Sequence, residues 1–190
     1  LSIALTSTMT MCTTKTPKGV DRANLNDSVA PQEDFYEYAK VDGVGQMAGW
    51  NPHASIQESK TILDMFIKEK KTFALELKDN HKVIGSLGLE ELTLSLDEEY
   101  EKLVGREIGY VLSKEYWGKG LMPEAVKGVT KFCFEKEKYD YLLCSHSVTN
   151  IQSRRVIEKS GFRFVKENIR TSINGEEHIS LYYVLDNPSR

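Results

Sequence analysis

The sequence predicts a mixed α/β domain in which one central sheet is flanked by helices. Three observations carry this. Segments of strand periodicity and helix periodicity alternate along most of the chain. At residues 107–125, which read E-I-G-Y-V-L-S-K-E-Y-W-G-K-G-L-M-P-E-A, a β-rich alternating run passes through a turn with two glycines into the start of a helix. Near the C-terminus, Asn174-Gly175 separates two strand-like runs and is the strongest short hairpin signal in the chain. At 190 residues, with 40% apolar and 28% charged side chains, the chain is long enough to bury one sizeable core.

The elements follow in order. Residues 1–30 are expected to be irregular or disordered, and residues 31–190 to form the domain. The first dozen, L-S-I-A-L-T-S-T-M-T-M-C, are weakly apolar and lack a basic start. They read as a tail, as a fusion, or as the end of an export or lipoprotein signal stopping near Cys12. Residues 13–31 are rich in Thr, Lys, Asn and Asp and show almost no periodicity. Pro31 and the acids after it open a helix over about 32–40. A glycine-rich loop, residues 43–53, leads to Ser55, which can cap a helix running to about Lys70. Residues 71–77 and 82–94 alternate around Asp79-Asn80 and predict a hairpin. Residues 96–104 are an acidic connection with room for a helical turn. After the strand at 107–112, Pro123 suits the first helical position, where a missing N–H costs nothing. The helix continues over 124–137, with Ala125, Val126, Val129, Phe132 and Cys133 turned inward. A strand spans 139–148, Asn150 caps a helix over 151–160, and Gly161 stops it. Strands at 163–172 and 176–185 close the chain.

Composition narrows the function. A net charge of −3 and a pI near 5.9 give no support for nucleic-acid binding. No apolar run is long enough to span a membrane. Cys12, Cys133 and Cys144 are widely spaced, with neither metal-site nor disulfide spacing, which fits a reducing cytoplasm and no metal. Cys133 and Cys144 read as small core residues.

Two constellations carry chemistry. A strand, a glycine turn and a helix start form an anion cradle, because free N–H groups and the helix dipole favour a phosphate. Alone, that turn is equally well explained by packing. The second constellation is N-I-Q-S-R-R-V-I-E-K-S-G-F at 150–162. It places Asn150, Ser153 and Ile157 on one helix face, and two polar groups on an inward face need partners. Helix capping and bonds back to the chain satisfy them as well as a ligand does.

Together with Y-W-G-K-G-L-M-P-E-A-V at 116–126 and M-A-G-W-N-P-H-A-S-I-Q-E-S at 47–59, these runs resemble the GNAT acyltransferases, in particular the RimJ/RimL-type N-acetyltransferases, over about Pro31 to Leu185. The resemblance implies the GNAT fold, a mixed sheet whose central strands splay apart, and acetyl-CoA as co-substrate. It places the pyrophosphate on the backbone of Trp117, Gly118, Lys119, Gly120, Leu121 and Met122, with Lys119 adding charge. The pantetheine arm would pair with Val111 and Leu112 as an added strand does, and Asn150 would bond the same region. The implied reaction is direct attack of an amine on the thioester. Glu107 is the candidate base; Ser153 is the candidate acid, because the family's tyrosine position is Ile157 here; an amide near Val111 or Leu112 would polarise the carbonyl. Tyr110, Tyr139 and His146 are further titratable groups for which a core role is the simpler reading. The acceptor implied is a protein N-terminus or a small amine such as a polyamine or aminoglycoside, and residues 97–101 favour a cationic one unless they are only a solvated loop. No nucleic-acid or membrane partner is expected, and the chain is expected to be a monomer or homodimer.

Two departures stand out. Met122 fills a position that is Gly or Ala in the family's glycine motif. The family's opening strand has no counterpart just before the first helix; instead, residues 24–39 loosely resemble the mature start of neprilysin-type metallopeptidases, although the chain has no H-E-x-x-H. Two alternatives stay open: a CoA-binding module without catalysis, and an exported lipoprotein resting on residues 1–12 alone.

Overall fold

The computed structural model describes residues 3–7, 30–172, 175 and 177–190. Among these residues seven strands form one sheet in the order β1-β2-β3-β4-β5-β7-β6. They are β1 (Ile3–Ser7), β2 (Thr72–Leu77), β3 (Val83–Glu90), β4 (Gly105–Leu112), β5 (Tyr141–Ser147), β6 (Arg163–Thr171) and β7 (Glu177–Asp186). All neighbours run antiparallel except β4 and β5, which are parallel. Such a pair needs a crossover, and helix α3 (Leu121–Glu135) supplies it.

The other helices are α1 (Ala30–Ala39), α2 (Ile56–Glu69) and α4 (Ile151–Lys159). Ser55 starts α2 as expected, its hydroxyl accepting from the Glu58 amide at 3.2 Å. In return the Glu58 carboxylate accepts from the Ala54 amide at 2.7 Å, which satisfies two helix-entry donors.

Two apolar clusters fix which face each helix covers. Leu121, Met122, Ala125, Val126, Val129 and Cys133 of α3 pack with Leu75, Leu87, Ile108 and Leu142 of the sheet, and Ile157 of α4 joins them. Phe35, Tyr38, Ala39 and Val44 pack with Leu63 and Phe66 of α2 and with Val83 and Val111 of the sheet. Helices α3 and α4 therefore lie against one face and α1 and α2 against the other, which is a three-layer arrangement. Cys133 and Cys144 are buried free thiols, as read from their apolar surroundings.

Two expectations are corrected. Residues 3–7 are not irregular: they form β1, paired antiparallel with β2 from Ile3↔Leu77 to Ser7↔Phe73. The opening strand therefore exists, displaced far upstream of α1. Residues 8–29, which include Cys12, lie outside the described residues, as does Asn174. Pro123 is the third residue of α3 rather than the first. That position tolerates proline equally, because the amides of the whole first turn lack intrahelical acceptors.

Candidate functional site

The site begins where the parallel pairing stops. Strands β4 and β5 are in register only from Gly105↔Tyr141 to Ile108↔Cys144. Beyond that point Gly109–Leu112 pairs only with β3, and Ser145–Ser147 only with β7. The resulting gap opens into a cavity of about 780 Å³, lined by both strands, the glycine turn, the start of α4 and the loop before α2.

The hydrogen-bond alternation decides which polar groups face the gap. The Ser113 amide donates to the Ile84 carbonyl at 2.7 Å, toward β3. Two residues back, Val111 stands opposite Ser86 and faces β3 as well. Tyr110 and Leu112 then turn their main-chain groups toward the gap. The Leu112 carbonyl is already taken by the Trp117 indole at 2.8 Å, which leaves the Leu112 amide. Of the two strand positions expected to meet an extended ligand, Leu112 fits through its backbone. Val111 also lines the cavity, but its main chain is directed to β3.

The glycine turn is built as a cradle. Gly118 and Gly120 have φ of +74° and +79°, a region that strains any side chain. Nothing lies within 4 Å of where a Cβ would stand on either. The first intrahelical bond of α3 runs from the Glu124 amide to the Gly120 carbonyl. The amides of Gly118, Lys119, Gly120, Leu121 and Met122 precede it and have no acceptor among the described residues. Five consecutive free amides at a helix N-terminus suit an anion. Trp117, Gly118, Gly120, Leu121 and Met122 all line the cavity. Lys119, expected to add charge there, is not among the lining residues; its ammonium sits 4.9 Å over the Tyr116 ring. Met122 points its side chain into the core, 4% exposed, so a residue larger than Gly or Ala does not obstruct the turn.

Asn150 caps α4: its Oδ1 accepts from the Ser153 amide at 3.0 Å. Its Nδ2 donates to the Met47 carbonyl at 3.3 Å and ties down the loop over the cavity. The Ser153 hydroxyl meets the Tyr110 hydroxyl at 2.9 Å. Burial, with the Cys144 thiol as the next cause, pushes the Tyr110 phenol well above its ordinary range. Cys144 is pushed up to about 12 by burial and then by the Glu107 charge, so it is an inert thiol. Ile157 is 1% exposed in the core and has no acid chemistry to offer. Arg155 and Lys159 reach the cavity from α4. They stand i,i+4 apart on one side of α4 and went unremarked in the sequence, where that spacing was the available signal.

Glu107 is 4% exposed and fully engaged. Its Oε1 accepts from the Ser145 hydroxyl and from Arg170 Nη1, each at 2.9 Å. Its Oε2 accepts from the Thr93 amide and the Thr93 hydroxyl. An ionised carboxylate has about four acceptor sites, and all are occupied. Arg170, on β6, spans the sheet to reach it and also donates to Ser145 at 2.8 Å. Sequence reasoning missed Arg170, Ser145 and Thr93, which come from three distant segments. His146 is also satisfied: Nδ1 donates to the Ser147 carbonyl at 2.7 Å and Nε2 meets the Tyr183 hydroxyl at 3.2 Å. Tyr139 lies away from the cavity, against Arg106. Asp97 to Glu101 do not line the cavity either; the carboxylates that do are Glu90, Glu107 and Glu177. Among the described residues no cluster has metal-site geometry, and no helix is long and apolar enough to cross a membrane.

Comparison with known proteins adds four findings. Residues 28–163 match the family model described as "Acetyltransferase (GNAT) domain". A 74-residue stretch is 35% identical to "Probable N-acetyltransferase YjcK" of Bacillus subtilis, covering 37% of this chain and 41% of that protein, so the match spans about two fifths of the relative. Among solved structures, a GNAT-family acetyltransferase from Bacillus anthracis superposes with a TM-score of 0.68 at 21% identity over 82% of this chain and 89% of that one. The spermidine N-acetyltransferase of Vibrio cholerae, solved with CoA and spermine, superposes with a TM-score of 0.66 at 15% identity over 98% and 96%. At these identities the structural likenesses establish the fold.

Proposed function

The chain belongs to the GNAT acetyltransferase family, and from that premise we propose that it transfers the acetyl group of acetyl-CoA to a primary amine by direct attack on the thioester. The observation that carries this is the meeting of two features in one cavity. The gap between β4 and β5 offers an unpaired strand edge, and the cradle at Gly118 to Met122 offers five free amides beside it. An extended pantetheine ending in a pyrophosphate needs both. Arg155 and Lys159 add positive charge at the same mouth.

In this reading Leu112 supplies the amide that pairs with the ligand or polarises the carbonyl. Asn150 acts by holding the α4 terminus and the covering loop in place. Ser153 donates a proton to the departing thiolate, with Tyr110 fixing its hydroxyl. Glu107 supplies a fixed negative charge that holds Arg170 and Ser145 at the wall of the gap. The acceptor is a protein N-terminus, following the RimJ/RimL-type resemblance, or a small amine. The Vibrio cholerae neighbour's name points to the latter class.

Thermal stability with and without acetyl-CoA, followed by free-thiol release across an amine panel, tests the proposal. Acetyl-CoA at about 100 times its dissociation constant should stabilise the fold by about 2.7 kcal/mol. No shift would remove the CoA reading. A shift without thiol release on any amine would leave a CoA-binding module in its place.

A further inference from the structure

All four acceptor sites of Glu107 are occupied by protein donors, so the cavity's other carboxylates matter. Glu90 is the last residue of β3 and stands directly opposite Glu107 in the antiparallel register. Directly opposed residues share a face of the sheet, and so do residues two apart. Gly88 and Gly109 therefore lie on that same face, and they too are directly opposed. Two facing glycines inside paired strands are unusual, because glycine weakens a strand and commonly marks a close approach by a ligand. A Cβ on Gly109 would have no neighbour within 4 Å. One on Gly88 would lie 2.9 Å from Glu90 Oε1. The Glu90 carboxylate thus folds back over a bare floor, one strand away from the point where β4 and β5 part. It is exposed, lines the cavity, and makes no hydrogen bond or ion pair among the described residues. The other charged groups of the lining are Glu107 and Arg170, which hold each other, with Glu177 and His178 at one end and Arg155 and Lys159 on the α4 side.

We propose that Glu90 is the group that receives the acceptor's ammonium over the Gly88–Gly109 floor and takes its proton. This rests on the acetyl-transfer reading. The ammonium R–NH₃⁺ gives one proton to the Glu90 carboxylate, which later passes it to water. The neutral nitrogen attacks the thioester carbon, and the C–S bond breaks as the C–N bond forms. The thiolate leaves as thiol with the second nitrogen proton, relayed through Ser153. The acceptor class is an amine that is protonated on arrival. The glycine floor admits it, and a side chain there would bar it.

The test uses the full chain with acetyl-CoA and a panel of 1,4-diaminobutane, spermidine and peptides beginning with Ala or Ser. Glu90→Gln should lower kcat on the best acceptor by about 100-fold and leave CoA affinity, measured calorimetrically, within twofold. The defect should shrink as pH rises toward 10, because a neutral amine needs no base. Gly88→Ala, which displaces the Glu90 carboxylate, should give the same pattern in weaker form, and Glu90→Asp should restore part of the rate. A kcat within threefold of the parent at pH 7.5, or a defect that stays constant up to pH 10, overturns the assignment. If the parent acetylates nothing in the panel, the acetyl-transfer reading falls. Titration of 1,4-diaminobutane into the CoA-loaded protein then decides Glu90 separately. Glu90→Gln should bind it at least tenfold more weakly, and equal affinity or no binding by the parent overturns the role.

Discussion

Replacing Gly120 by alanine separates the two reasons for a glycine in the cradle. The residue has φ +79° and ψ 1° and serves as the N-cap of α3. A left-handed conformation costs a residue with a Cβ roughly 1–2 kcal/mol. For a chain of this size, each kcal/mol moves Tm by about 2–4 °C, so Gly120→Ala should melt about 2–8 °C below the parent. The control is Gly161→Ala at the end of α4. Its φ is +89°, its nearest neighbour to an added Cβ is Leu185 at 4.0 Å, and it does not line the cavity. Backbone strain alone predicts the same loss in both. The difference lies in ligand protection. Acetyl-CoA at about 100 times Kd should raise the parent's stability by about 2.7 kcal/mol, and Gly161→Ala should keep that increment in full. Gly120→Ala should lose most of it at the same ligand concentration, because its new methyl projects into the space where free amides would meet the pyrophosphate. Thermal melts by near-UV circular dichroism, with and without ligand, read both quantities. Full protection of Gly120→Ala would mean that the glycine serves the backbone turn only and that the anion binds elsewhere.

Other expectations follow from individual contacts. Ser153→Ala should lower turnover while leaving CoA affinity close to the parent's, measured by thiol release and calorimetry; unchanged turnover removes the proton-donor role. Val129→Ala opens a cavity at a fully buried site under the sheet, and should cost about 2–3 kcal/mol in urea unfolding with an unchanged m-value. The His53 side chain is 6% exposed and its ring meets the Ser59 hydroxyl at 2.7 Å. Burial lowers its pKa below the ordinary 6.5. The unfolded chain then binds the proton more readily, so stability is fully present above about pH 6.5 and declines as pH falls below it. A parent-minus-His53→Asn stability difference that does not shrink from pH 7.5 to 5 would contradict this.

The sequence carried the parts of this fold that depend on local rules. Ser55 announced α2 through its capping geometry, Gly161 ended α4 with a positive φ, and Gly118 and Gly120 sit where only glycine is unstrained. What stayed hidden depends on long-range pairing. Strand β1 has no strong pattern of its own and is a strand because Leu75 and its neighbours complete it. Arg170 is an ordinary basic residue until the order β5-β7-β6 brings it over Ser145 and Glu107.

The two glutamates show the same division more sharply. Glu107 stands in the run E-I-G-Y and was read from it as the candidate base; the structure puts it in the cavity lining with four donors around its carboxylate, which no local pattern announces. Glu90 stands in L-E-E-L, which has nothing to single it out from the next residue. Its placement follows from one register, in which Gly88 faces Gly109 and Glu90 faces Glu107. A shift of that register by one residue would turn the carboxylate to the opposite face of the sheet. The division of labour between a saturated carboxylate and a free one is therefore a property of the β3–β4 pairing. Any change in the connection between those strands that alters the register should abolish turnover while leaving the anion cradle of α3 intact.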